Sequence, residues 1–162
     1  MTRIVSKPPI TPQQFDLLLP LACQWAAQQE QRIVTLGRPL SPAQLADACL
    51  VGVSHPEHVR ILQVPEIPLP EHPALRRAAD ITQLISPLTG GLTLRYGIFI
   101  RSDCRFHGSM VVHELAHTAQ YERFGGFEPF LRQYLSECLT FGYPEAPMEQ
   151  QVISITSRIC GD

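Results

Sequence analysis

The sequence predicts an α+β domain in which a small mixed sheet is preceded and followed by helices. Three observations carry that expectation. The N-terminal third holds two proline-started helical segments, "TPQQ" at 11–14 and "SPAQ" at 41–44. Apolar residues then run or alternate in strand-like fashion at 59–64 and 92–101. Three further segments with helical spacing fill most of residues 109–159. At 162 residues the chain fits one domain with its own core, and we read 1–162 as a single unit. Residues 1–58 form its mostly helical part and 59–162 the part that carries the chemistry.

In the first segment Thr11 is the N-cap, Pro12 takes the first helical position and Gln14 closes a capping box. Phe15, Leu18, Leu19, Ala22 and Ala26 make its apolar stripe, and Pro20 predicts a kink. Ser41 starts the second helix, which ends near Gly52. "VRILQV" (59–64) reads as a strand, followed by the extended, proline-punctuated "PEIPLPEHP". Pro73 opens a helix to about Ile85, stopped by Ser86-Pro87. Leu92, Leu94, Tyr96, Ile98 and Ile100 alternate with polar or small residues and Phe99, which predicts one long strand with a wet face at a sheet edge. Ser109 caps a helix to about Phe124, Pro129 to Phe141 is the next, and Pro147 starts the last. Met148, Val152, Ile155 and Ile159 form the buried stripe of that last helix.

Composition narrows the function classes. Hydrophobic residues make up 44% and charged residues 17%, as in an ordinary folded domain, and the net charge of −2 gives no case for nucleic acid or an anionic membrane as partner. Five cysteines, an odd number with no C-x-x-C pair, predict reduced thiols packed in the core and a cytoplasmic setting. The N-terminus lacks the apolar core of a signal peptide, and no run reaches membrane-spanning length. His55, His58 and His72 lie in a proline-rich region and are expected to be solvated.

The chemistry concentrates in "SMVVHELAHTAQYERFGG" at 109–126. On a helix, His113 and His117 stand one turn apart and about 40° from each other, so both imidazoles reach one Zn²⁺ at about 2.0–2.1 Å. Glu114 then flanks that face, where it can take a proton from a zinc-bound water. A chain of this composition meets H-E-x-x-H by chance about once in a hundred, so the pattern points to a metal site and not to two unrelated histidines.

A third ligand must come from elsewhere, because no histidine follows His117. Arg123 stands where an extended H-E-x-x-H-x-x-G-x-x-H pattern needs its last histidine, and no second E-x-x-H exists for a di-iron site. Among downstream carboxylates, Glu122 lies about 180° round the helix from His113, and Glu128 reads as an N-terminal helix charge. Glu137 suits a solvated or supporting role. Glu149 sits one residue off the buried Met148/Val152 stripe, where a carboxylate is costly unless paired or metal-bound, and is the first choice. Glu145 is the second and His107 a distant third. For oxyanion stabilisation Tyr143 is the first candidate, with Tyr134, His107 and Arg158 behind it.

HELAH with a later glutamate resembles the gluzincin branch of zincin metallopeptidases. More narrowly, "HELAHTAQYERFGG…FLRQYLSECLTFGYPEAPMEQ" is similar to small bacterial zinc-peptidase-like proteins, over roughly residues 86 to 155. The resemblance implies a zincin-like fold, a glutamate third ligand and an edge strand before the motif helix. Substrate would add to that strand, here Leu92–Arg101. In gluzincins the ligand typically opens E-x-x-A or E-x-x-x-D. Glu149 keeps the glutamate, but Val152 and Ile153 replace the Ala and Asp.

The expected activity is therefore zinc-dependent hydrolysis of a peptide bond in an extended peptide or protein substrate. His113, His117 and Glu149 would hold the metal, with Glu114 and Tyr143 as the catalytic groups. A chain this short predicts no deep specificity cleft. The competing expectation is a non-catalytic module that binds zinc or captures a peptide on a degenerate fold of the same kind.

Overall fold

The computed structural model describes residues 10–86, 89–104 and 107–161. Both N-terminal helix starts form reciprocal capping boxes. Thr11 N–H donates to the Gln14 side chain, and Gln14 N–H donates back to the Thr11 hydroxyl, opening α1 (Pro12–Leu36). Ser41 and Gln44 do the same for α2 (Pro42–Val51), which ends on a left-handed Gly52. Pro20 lies within α1 and does not end it. The remaining elements in chain order are β1 (Arg38–Pro39, between α1 and α2), β2 (Arg60–Val64), α3 (Pro73–Thr82), β3 (Gly91–Leu94), β4 (Gly97–Arg101), α4 (His107–Phe124), α5 (Phe127–Phe141) and α6 (Pro147–Cys160). One 3-10 turn, Pro56–His58, precedes β2.

The architecture is mixed α+β: six helices and a four-stranded sheet of order β1-β2-β4-β3 among the described residues. β2 and β4 run parallel, and β1 and β3 are antiparallel edges. Two buried clusters sit on opposite sheet faces. One joins Ile61, Ile98 and Ile100 to residues of α2, α4 and α6. The other joins Leu94 and Phe99 to residues of α1 and α5. No described helix is long and apolar enough to cross a membrane.

The long strand expected over Leu92–Arg101 is a hairpin. Arg95 takes a left-handed φ of 61°, and the chain reverses through Arg95-Tyr96 to pair Leu94 with Gly97. The alternation was misleading because a two-residue turn shifts its parity. Leu92 and Leu94 share a face with Phe99, whereas Ile98 and Ile100 share the other with Thr93. No face of β4 is wet, since Ile98, Phe99 and Ile100 are all fully buried. Of the two hairpin strands, β3 is the one at the sheet edge.

The unusual Arg95 backbone is over-determined by its neighbours. Its guanidinium donates two bonds to Glu30 on α1, at 2.7 and 2.6 Å, and stacks 4.7 Å from the Phe127 ring. Glu30 also accepts Tyr96 N–H at 3.0 Å. Gly97 lets α1 approach, since a Cβ there would meet Ile33 at 3.0 Å. Removing one partner of a buried pair costs about 3–5 kcal/mol, and Arg95 is 41% exposed, so the cost here is smaller. Glu30→Ala is expected to lower unfolding stability by about 2 kcal/mol, read from the urea midpoint.

Smaller differences have local causes. α3 stops at Thr82, short of Ile85, because Gln83 turns left-handed at φ 58°. Pro87, half of the expected stop, lies outside the described residues. α4 begins at His107 and not after a Ser109 cap, and α5 begins at Phe127, before Pro129. All five cysteines are free, but only Cys138 is buried, so the thiols are not a core set. His55, His58 and His72 are exposed as expected.

Candidate metal centre

Helix α4 is buried on every side from Glu114 to Tyr121, so each of its polar side chains needs a partner. Thr118 donates to the Arg95 carbonyl at 2.8 Å, and Tyr121 reaches the Thr93 carbonyl at 3.4 Å. Glu122, on the far side from the histidines, accepts Ser54 and His55 N–H and the Tyr96 hydroxyl.

His113, His117 and Glu149 come together as a group whose potential ligand atoms lie within 4.8 Å of one another. His113 Nε2 is 2.7 Å from Glu149 Oε1, and His117 Nε2 is 3.0 Å from Oε2. Glu149 is 1% exposed. Its Oε2 accepts the Tyr134 hydroxyl at 3.0 Å, while its buried Oε1 has no aligned hydrogen-bond donor even with His113 so close. A buried carboxylate oxygen left this way is costly, and a cation shared with the two Nε2 atoms would remove the cost. Donors on a tetrahedral ion with bonds of 2.0–2.1 Å stand about 3.3–3.4 Å apart, so uptake would lengthen the two imidazole–carboxylate distances by roughly 0.3 to 0.7 Å.

The surroundings prepare the donors. His117 Nδ1 stands 2.9 Å from Gln120 Oε1, so with a proton on Nδ1 donated to that oxygen, Nε2 is the nitrogen left for a metal. Gln120 in turn donates to Met148 O at 3.0 Å and Gln151 Oε1 at 2.8 Å, tying the helix of the histidines to the helix of the glutamate. Without metal, burial pushes the Glu149 carboxyl up, but the adjacent His113 and His117 outweigh it and hold the group below the usual range. Burial alone would lower the His117 imidazole, and Glu149 and Glu114 raise it instead.

Glu114 lies beside this group and is held by the edge strand. The Thr93 hydroxyl bridges its carboxylate Oε2 and its backbone carbonyl, the latter at 2.9 Å. Gly91 gives it room, because a Cβ there would stand 3.0 Å from Glu114 Oε1. On the peptidase reading proposed below, Thr93→Val is expected to cut turnover about 10- to 100-fold while metal content stays unchanged, and Thr93→Ser to restore it. Steady-state rates with parallel metal analysis check this.

Of the other sequence candidates, Glu145 is exposed and outside the cluster, and His107 faces Gln63 at 3.1 Å. Arg158 is exposed near the end of α6. Tyr134 serves Glu149. Tyr143 is 52% exposed overall yet lines the same cavity as the metal group, and burial with the nearby Glu149 and Glu114 raises its phenol. Glu137 is buried and not solvated: it accepts Met148 N–H at 2.7 Å and so caps the start of α6.

The expectation of no deep cleft fails. A cavity of about 550 Å³ opens onto His113, Glu114, His117 and Glu149. Its far walls come from α1, α3 and α5. Comparison with protein-family models, curated proteins and solved structures finds no match. The residues themselves therefore carry the functional reading.

Sequence reasoning missed Thr93, hidden by the misread hairpin, and Gln120, which was legible as the i+3 neighbour of His117 on one helix. A second group, His55, Glu57 and His58, also meets on the surface, but all three are exposed and none lines the cavity described above.

Proposed function

We propose that the protein is a zinc-dependent peptidase of gluzincin type on a zincin-like fold. The carrying observation is the convergence of His113, His117 and an under-bonded buried Glu149 oxygen beside Glu114, all at one end of a cavity. Two imidazoles and a carboxylate are a donor set that suits zinc, leaving a position for water or substrate. Bound there, zinc would lower the pKa of water and polarise a carbonyl.

The chain supplies the rest. Glu114, held by Thr93, takes the proton as water adds to the carbonyl carbon, then delivers it to the departing amine nitrogen as the C–N bond breaks. Tyr143, which lines the same cavity, would donate to the developing oxyanion. Bonded and unbonded pairs alternate along an antiparallel ladder, and Arg101 N–H bonds Gly90 O at 2.8 Å. Gly91 and Thr93 therefore turn their backbone groups outward from β3, and an extended substrate would add there as a strand through the groups other than the Thr93 carbonyl, which Tyr121 reaches. Five free cysteines suit a reducing setting, and we place the protein in the cytoplasm.

Metal analysis of purified protein, then cleavage of a diverse peptide library, tests this reading. It expects about one zinc per chain and cleavage that a chelator stops and zinc restores. Zinc-loaded protein that cleaves no peptide would contradict it.

A further inference from the structure

The cavity is larger and more apolar than the bond-breaking chemistry needs. A space of about 150 Å³ takes one benzene-sized ring, so 550 Å³ holds roughly three bulky groups. Phe15, Leu18 and Trp25 of α1, Leu75 of α3, and Leu131 and Leu135 of α5 form walls that the H-E-x-x-H helix does not provide. Among the described residues the lining contains no Lys, Arg or Asp, and its carboxylates and imidazoles are His113, Glu114, His117 and Glu149. A charged side chain entering it would lose its hydration without gaining a partner. The same cavity is bordered by Gly91 and Thr93, whose outward backbone groups, apart from the Thr93 carbonyl that already meets the Tyr121 hydroxyl, offer hydrogen bonds that a peptide main chain can use and a hydrocarbon chain cannot.

We propose, resting on the peptidase reading, that the site selects an extended, uncharged peptide segment of about three residues with bulky apolar side chains. Its main chain pairs with β3, its side chains fill the space between α1, α3 and α5, and the scissile bond faces His113 and His117. The N-terminal helix is thereby a specificity element.

Trp25 is the sequence's single tryptophan and lines the cavity, so its emission reports occupancy directly. The experiment uses full-length zinc-loaded Glu114→Gln protein, so binding is read without turnover. Blocked peptides Ala-Phe-Leu-Phe-Ala, Ala-Glu-Leu-Glu-Ala and Ala-Lys-Leu-Lys-Ala are titrated against Trp25 emission. The apolar peptide is expected to shift that emission saturably and to bind about 100-fold more tightly than either charged one. Ala22→Phe, which fills the cavity from α1, is expected to abolish the shift while zinc content is unchanged. Affinities within threefold of each other, or no change at Trp25, would overturn the inference. So would monomeric dodecyl maltoside binding more tightly than the phenylalanine peptide, which would identify a lipid chain as the occupant. Because the assay needs no cleavage, a wild type that cuts nothing would sink the peptidase reading without touching this result.

Discussion

Glu149→Ala is expected to weaken zinc binding about 10³-fold, a loss of about 4 kcal/mol, with the fold retained. On the proposed reading the carboxylate would supply the third protein ligand and the negative charge that offsets part of the ion's own, and two neutral imidazoles carry no such charge. Structural zinc sites with full ligand sets bind with about 10–16 kcal/mol, so losing one of three protein donors at this scale is reasonable. The neighbours that hold Glu149 need not collapse, since Tyr134 can keep its hydroxyl at the cavity end and Gln120 still joins α4 to α6 through Met148 and Gln151. Competition with a chromophoric chelator measures the affinity, and circular dichroism checks the fold. Unchanged affinity would remove Glu149 from the ligand set.

Glu114→Gln carries the second large effect. The amide keeps the size of the carboxylate and can still accept the Thr93 hydroxyl, so the local packing survives. It cannot take a proton from water. General acid–base catalysis contributes about 10²–10⁴ in rate, and turnover should fall by that factor while zinc content and peptide affinity stay near wild type. Single-turnover cleavage under zinc-saturating conditions separates this from a metal defect. A variant as fast as wild type would assign the proton transfer elsewhere.

The parts of the molecule legible in the sequence are those set by local rules. Thr11 and Ser41 announced their helices because a capping box lies within four residues, and the pairing of His113 with His117 follows from helix pitch alone. Glu149 could be picked out because a carboxylate beside a buried stripe is an anomaly that needs a partner, and the structure supplies two imidazoles and a tyrosine. What stayed hidden depends on chain reversal and distant packing. Leu92 to Ile100 keeps its alternation across the turn only because both faces of the hairpin are covered, and the left-handed Arg95 needs Glu30, 65 residues away, to hold it. The cavity was equally out of reach, because its walls join α1 and α3 to α5, segments with no shared pattern in the sequence.

X-ray absorption at the zinc edge, on protein loaded with one equivalent of zinc, asks directly what surrounds the ion. The expected spectrum has two imidazole nitrogens and a carboxylate oxygen at about 2.0–2.1 Å, and loses the carboxylate contribution in Glu149→Ala. A spectrum unchanged by Glu149→Ala but altered by His55→Ala would place the ion on the surface histidines and contradict the account.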